Sequence, residues 1–436
     1  MNPGLLLIGL VLVVLQLTLP LRWAFLPMLL AACHTPAVQL LGDFTVTRTV
    51  IIIGLMRAMT CGQFRWSTSN PLDVLVAIWA GVALFSFVGH SGGTHNPLIF
   101  RCGLVLNVVG AYLYTRAYLH SDESLELFSM GLMITIVPFA LLMALEQATG
   151  KNPYSFVGAR LTESLVREGT VRATGPFGTP ILSGTMGAAT IPFMVILRQY
   201  SKRMGNIGII AALVIVISSG SSGPIATTGI ACIAMFCWRF RHYGRLIIWG
   251  GIGAVMFMQL FRERPIWYLM AVMDFVGGST GWHRAKLIDS AYENLGEWWL
   301  LGTDYTRDWM PYGLPMVPEH CDLTNYYIHL GVIGGLPLMF CLIAVLWKSV
   351  RMLITEISES MDDESPRGFM LWCVTSAIIA HAITFLSISY FDQIYVFFWV
   401  LIGALPAFLT AWQENDEVEE IEGEEDPDPL AHAQFG

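Results

Sequence analysis

Between Glu126 and Glu146 the chain reads LFSMGLMITIVPFALLMAL, Leu127 to Leu145, without one charged side chain. A helix crossing a hydrocarbon core about 30 Å thick needs about 20 such residues, and a helix half-exposed to water would carry a polar stripe that this run lacks. Similar runs lie near 4–20, 24–41, 46–60, 72–89, 97–118, 176–197, 246–261, 325–347, 369–388 and 392–412, with two shorter ones at 207–218 and 224–238. The predicted fold is therefore an all-α polytopic integral membrane protein with about 12 or 13 transmembrane helices. The whole chain agrees with this: 55% of its residues are hydrophobic and 13% charged, about half the charge of an ordinary soluble globule. The apolar start, Met1 to Pro20, lacks a basic leader and a small-residue cleavage site and is expected to be retained as a span.

Charge patterning orients the helices. Arg198, Lys202 and Arg203 form one basic cluster, Arg239, Arg241 and Arg245 a second, Lys348 and Arg351 a third, so these turns are expected on the cytoplasmic side. By parity the segments 147–175 and 262–324, and the turn Ser218 to Pro224, fall together on the opposite face. Ten of the 33 acidic residues lie between Glu414 and Asp428, leaving 23 against 24 Lys and Arg in the body. A nearly neutral body argues against a nucleic-acid partner. The expected organisation is N-terminal transmembrane helices over 1–146, a membrane domain over 147–412 with a large outer loop at 262–324, and a disordered acidic cytoplasmic tail over 413–436. The eight cysteines show no CxxC spacing, so no metal site is expected, and they read as small buried hydrophobes.

Ionisable side chains are rare inside the spans but crowd the two outer segments, where orientation does not require cations. Three places stand out. Arg172 precedes Gly175-Pro176-Phe177-Gly178-Thr179-Pro180, where glycines permit close backbone approach and Pro180 suits a helix start. Gly281-Trp282-His283-Arg284, preceded by Gly277-Gly278-Ser279-Thr280, opens a helical run, and Trp282 offers a face for interfacial anchoring or for sugar stacking. His320-Cys321-Asp322-Leu323-Thr324-Asn325 leads into another apolar helix. Guanidinium forks suit an anionic leaving group, and a neutral imidazole suits removal of a proton from a hydroxyl, with Asp322 as a candidate partner for the ring.

At these places the chain resembles the O-antigen ligase and O-antigen polymerase superfamily. That family's arginine ahead of a Gly-x-Phe-x-x-Pro motif matches Arg172 with Gly175, Phe177 and Pro180. Its Ser-Arg-Gly turn looks like Ser221-Ser222-Gly223, its loop arginine like Arg284, and its histidine with a later Gly-x-x-Gly like His320 with Gly331 and Gly334. The resemblance runs from Arg172 to Trp347. Ser222 replaces the turn arginine, and Cys321 stands where Asn is common. The resemblance implies a GT-C-like, metal-independent, inverting membrane glycosyltransferase without cofactor, in the bacterial inner membrane with its active face periplasmic. It would take a polyprenyl diphosphate-linked saccharide as donor and a glycan or glycolipid as acceptor, working in cell-surface polysaccharide assembly with other proteins of that process. It assigns Arg172 and Arg284 to the diphosphate and His320 to the acceptor. Gly175, Pro180, Ser222, Asp322, Asn325 and Trp282 are the expected substrate-binding residues. The departures tilt the reading from ligase toward polymerase.

Two other classes compete. A transporter or flippase would place ionisable groups and broken helices at mid-bilayer in matched halves, whereas Glu146, Arg101 and Asp392 sit near span ends and no internal repeat is visible. A scaffold recruiting partners through its acidic tail would leave the loop arginines and His320 without a task.

Overall fold

The computed structural model describes residues 2–42, 44–64, 66, 70–91, 96–120, 123–167, 169–271, 281–310, 319–359 and 366–410. The acidic tail, the Gly277 to Thr280 lead and the loop 360–365 lie outside the described residues. The chain is mostly helical, and among the described residues seven helices are long and apolar enough to cross a membrane.

The amino-terminal helices are α1 (Pro3–Thr18), α2 (Leu26–His34), α3 (Val46–Thr60), α4 (Pro71–Phe85), α5 (Pro97–Tyr118) and α6 (Ser124–Thr149). After a hairpin come α7 (Pro180–Tyr200), α8 (Lys202–Ser218), α9 (Ser222–Phe236) and α10 (Gly244–Phe261). The outer loop carries α11 (Gly281–Glu293) and α12 (Leu295–Trp298), and α13 (Tyr326–Glu359), α14 (Arg367–Thr384) and α15 (Ile394–Thr410) complete the bundle. Two small antiparallel hairpins interrupt the helices, β1 (Gln39–Leu41) with β2 (Phe44–Thr45), and β3 (Leu165–Arg167) with β4 (Thr170–Arg172).

Four Asn-Pro pairs punctuate the sequence, and each opens a helical turn. Asn2, Asn70, Asn96 and Asn152 accept hydrogen bonds from amides two or three residues on, while the proline that follows occupies a position whose N–H would have no partner. The expected span 24–41 is cut short by the opposite effect. Thr35, ahead of Pro36, is driven to an extended conformation (φ −115°, ψ 134°), so α2 stops at His34 and the chain turns into the first hairpin. The expected span 325–347 runs on to Glu359, because nothing after Trp347 breaks the helix.

Helix direction alternates through the bundle, so helix ends gather on two faces. On one face Arg57, near the end of α3, donates to the carbonyls of Gln16 and Leu19 at the end of α1. Arg116 at the end of α5 pairs with Asp73 at the start of α4 at 2.9 Å, and Arg367 at the start of α14 pairs with Glu356. The basic clusters Arg198, Lys202 and Arg203 (α7 to α8) and Arg239, Arg241 and Arg245 (α9 to α10) lie at helix ends on this face, whereas Lys348 and Arg351 lie inside α13, short of its end at Glu359. On the other face the end of α6 meets the start of α7, and the amide of Tyr326 donates to the carbonyl of Phe385. In the centre, α7 is almost wholly buried, packed against α6, α8, α9 and α14, and α15 packs on α5. Large apolar side chains such as Leu10, Leu141, Ile217, Phe257 and Leu260 point outward, as on a surface bathed in lipid. Cys33, Cys321 and Cys373 are buried as expected, but Cys61, Cys102 and Cys232 are exposed on this outer surface; all eight are free thiols.

One break in a helix positions the outer loop. At Gly334 and Gly335 α13 leaves helical geometry, with Gly335 at φ 74° and ψ −177°. Three groups released by the break are caught: the Val332 carbonyl by the amide of Thr303 at 2.9 Å, the Ile333 carbonyl by Arg101 Nη2 at 2.7 Å, and the Leu336 amide by the Trp299 carbonyl at 2.8 Å. A Cβ on Gly335 would meet the Leu300 carbonyl oxygen at 2.2 Å, and one on Gly331 would meet the Trp298 ring at 2.3 Å. Small residues here let Trp298 to Thr303 lie directly on α13. Around this contact the loop has a core of its own, with Leu287, Trp298, Trp309 and Cys321 packed on Ile328 and Val332.

Candidate functional site

The site grows from the β3–β4 hairpin and the turn between α8 and α9. The amide of Ala173 donates to the Ser218 carbonyl at 2.9 Å, and Arg172 donates from Nη2 to Ser221 Oγ at 2.6 Å and from Nε to the Ser219 carbonyl at 3.4 Å. Gly220, at φ 53°, allows this twice over, since a Cβ would also lie 2.9 Å from Arg172 Cγ. Ser221 receives the arginine, and Ser222, which stands at the turn-arginine position and is an expected substrate-binding residue, is the first residue of α9, already turned into the helix.

Beneath Arg172 the buried carboxylate of Glu146 accepts from the Thr174 amide (2.9 Å), Thr174 Oγ1 (3.0 Å), the Gly175 amide (2.8 Å) and Ser164 Oγ (3.1 Å). Asn152 Nδ2 donates to the Gly175 carbonyl at 2.7 Å. Gly175 sits at φ 60°, where a Cβ would meet the Phe139 ring at 2.8 Å. Gly175 and Pro180 are both buried, so they hold the hairpin and open α7 instead of lining an exposed surface. Asp392, at φ 52°, accepts from the Gly178 amide at 2.8 Å and closes the same loop from the side of α15.

Arg284 and His283 come from the first turn of α11, with Trp282 exposed beside them. His283 Nε2 lies 3.3 Å from the Asp322 carbonyl oxygen, and the Nε of Arg284 is buried without a hydrogen-bond partner among the described residues. Burial lowers the Arg284 pKa, as does Arg167, with Asp322 opposing; burial and Arg167 likewise lower that of Arg172. Both remain cations at neutral pH, because guanidinium starts so high. Arg167, from β3, is thus close enough to act on both arginines. Burial raises the Asp322 carboxyl, against the pull of His283 and Arg284.

His320 is held by Thr306, whose Oγ1 lies 3.1 Å from Nδ1 and also accepts from the Cys321 amide at 3.2 Å. Asp322 was the expected partner for this ring, and it goes instead to Arg284 and His283. With Cys321 buried in the loop core, the chain is pinned so that His320 lies on Thr306 and the residue two places on serves the arginine. Burial lowers the His320 pKa, more than Glu319 and Asp304 raise it, and His90 adds to the lowering. The imidazole is therefore neutral at pH 7. Asn325 caps α13, accepting from the Ile328 amide at 3.1 Å and donating to the Leu386 carbonyl at 3.0 Å, which commits its amide to structure.

Two participants were not anticipated. His90 Nδ1 pairs with Asp304 at 2.5 Å and its Nε2 reaches the Leu301 carbonyl at 3.0 Å, fastening the outer loop to the end of α4. Arg167 was legible only as a loop charge, although Leu165-Val166-Arg167 and Thr170-Val171-Arg172 around Glu168-Gly169 carry the β-branched residues and glycine of a hairpin. Among the described residues no three His, Cys, Asp or Glu side chains gather as a metal site would require.

Comparison with protein-family models finds no match, and comparison with curated proteins finds no similar chain.

Proposed function

We propose that this chain is a membrane glycosyltransferase that polymerises or ligates lipid-linked saccharides in cell-surface polysaccharide assembly. In this reading 12 or 13 helices span the bacterial inner membrane, and the face bearing Arg172, Arg284 and His320 is periplasmic, since the basic clusters at the α7–α8 and α9–α10 turns lie at the opposite helix ends. The observation that carries the proposal is that Arg167 acts electrostatically on both Arg172 and Arg284, from separate elements, while Asp322, two residues from the neutral imidazole of His320, acts on Arg284.

Each group has a task in transfer from a polyprenyl diphosphate-linked donor. The acceptor hydroxyl oxygen attacks the anomeric carbon, and the bond from that carbon to the diphosphate oxygen breaks. The hydroxyl proton passes to Nε2 of His320, which is unprotonated when Nδ1–H donates to Thr306. The diphosphate leaves with the bonding pair, and its growing charge is met by Arg172 and Arg284, which is where stabilisation raises rate as well as affinity. Trp282 is exposed next to Arg284 and offers a stacking face for a sugar ring.

Transport by the same chain has less support. Glu146, Arg101 and Asp392, the ionisable groups nearest the membrane interior in the sequence reading, are each occupied in holding backbone: that of Thr174, of Ile333 at the break in α13, and of Gly178. The deciding experiment is analysis of surface glycans and extracted lipid-linked saccharides in a strain lacking this gene, complemented with wild type or with Arg284→Ala. Single repeat units left on the carrier mark a polymerase. Long chains stranded on the carrier mark a ligase. Unchanged pools in both strains would remove the proposal.

A further inference from the structure

The β3–β4 register places Leu165 opposite Arg172 and Arg167 opposite Thr170. Opposed residues in an antiparallel pair share a face, and so do residues two apart along a strand. Leu165, Arg167, Thr170 and Arg172 therefore project from one face of the hairpin, with Val166 and Val171 on the other. That first face is the one laid on the α8–α9 turn. Thr170 Cγ2 and Arg172 Cγ lie 3.6 and 2.9 Å from where a Gly220 Cβ would stand. Arg167 is the outermost member of this row, diagonal to Arg172 and two residues nearer the hairpin tip. Its side chain is exposed, and neither it nor Arg172 nor Arg284 forms an ion pair with a described carboxylate.

We infer that Arg167 is the third cation of the diphosphate site, set between Arg172 and Arg284, and that it lets the site prefer a diphosphate carrier over a monophosphate. Three guanidiniums of like charge repel unless an anion lies among them, and among the described residues Asp322 supplies the opposing charge that acts on Arg284. Arg167 acts electrostatically on both of the others, which acquire no such coupling to each other. A monophosphate can be satisfied by Arg172 or Arg284 alone, whereas a second phosphoryl group brings its charge to Arg167 between them. The turn itself offers Ser221 and Ser222 and no cation, so the charge at that place comes from the neighbouring hairpin.

This inference rests on the glycosyltransferase reading, and the test separates the two. Full-length protein in lipid nanodiscs is titrated with farnesyl diphosphate and, separately, farnesyl monophosphate, for wild type, Arg167→Ala, Arg167→Lys, Arg172→Ala and Arg284→Ala. Arg167→Ala is expected to weaken diphosphate binding about tenfold, as expected when a charged contact worth about 1.4 kcal/mol is lost, with less than about twofold change for the monophosphate. Arg167→Lys should restore most of the preference, because an exposed point charge still serves there. Arg167→Ala and Arg284→Ala combined should lose less than the sum of the two, the sign of a shared ligand. Wild-type discrimination in Arg167→Ala, with weakened binding in the other two alanine variants, would overturn the inference and leave the reading intact. Wild-type protein binding both probes equally would overturn both.

Discussion

Arg172 and Arg284, the two arginines of the proposed site, are held by regions of different construction. The hairpin carrying Arg172 is bound to the membrane body by buried hydrogen bonds, with Glu146 taking four donors and the Ser218 carbonyl a fifth contact to Ala173. The loop carrying Arg284 and His320 has its own small core and is tied to the bundle at the α13 break and at the His90–Asp304 pair. The difference assigns roles. A cation fixed by the body suits a site that must always accept the carrier, and groups on a separately cored module can take up an acceptor while resting on a few definable fastenings.

Breaking the body side should have the largest effect. In Glu146→Gln the side chain presents an N–H pair to a place where four donors already converge, and at least one buried amide loses its acceptor. The expected cost is about 3 kcal/mol of stability, with loss of transfer because Arg172 moves with its loop. Thermal unfolding of the solubilised protein measures the first and turnover the second. An unchanged melting temperature would mean that the Gly175 loop has other support. On the loop side Arg284→Ala should leave the melting temperature near wild type and lower turnover by about 10² to 10³, with Arg284→Lys rescuing poorly because a point charge cannot reproduce the fork. Unfolding in place of inactivity would make Arg284 a structural residue of its module.

The two regions also differed in what the sequence revealed. Long charge-free runs and basic turns specify helices and their alternation, since lipid demands both of them, and that part was legible. Parity also assigns the segments around Arg172, Arg284 and His320 to one face. The fastenings were not legible. His90 and Asp304 are 214 positions apart, and no local rule pairs them. The expected span 24–41 ignored Thr35-Pro36, although the residue before proline is turned from helix by sterics alone. Asp322 was given to His320 because they are close in sequence, whereas the burial of Cys321 decides which way each side chain faces. The four Asn-Pro helix starts and the hairpin around Gly169 did lie open in the sequence, as local signals of capping and turn chemistry.

A smaller effect separates the chemistry of the loop from its attachment. Because His320 is neutral through burial, its acid limb should lie below the ordinary histidine value of 6.5. Turnover would then hold level from neutral pH to about 6.5 and fall only in more acidic buffer, as the base takes up a proton. His320→Ala should remove that limb together with most of the activity while farnesyl diphosphate still binds. A limb centred above 6.5 would mean that another group is the base.

The smallest expected change concerns the His90–Asp304 fastening. Burial raises the Asp304 carboxyl, but hydrogen bonds from His90 and from the Ser91 amide and hydroxyl outweigh it and hold the group below its ordinary 3.8. A carboxyl whose pKa is lower when docked than when free is protonated more readily in the undocked state. Its contribution to docking is therefore complete above the free value and is lost as pH falls through the docked one. Hydrogen exchange at Leu301 to Asp304, corrected for the intrinsic rate, should be flat from pH 7 to about 5 and rise below about 4. Asp304→Asn should exchange somewhat faster at neutral pH and lose most of that rise, while the amides of Thr174 and Gly175 on the body side stay protected in both proteins. Equal acid sensitivity in Asp304→Asn would place the loop's attachment wholly at the α13 break, where the Thr303 amide and the Leu336 amide already hold it without any charge.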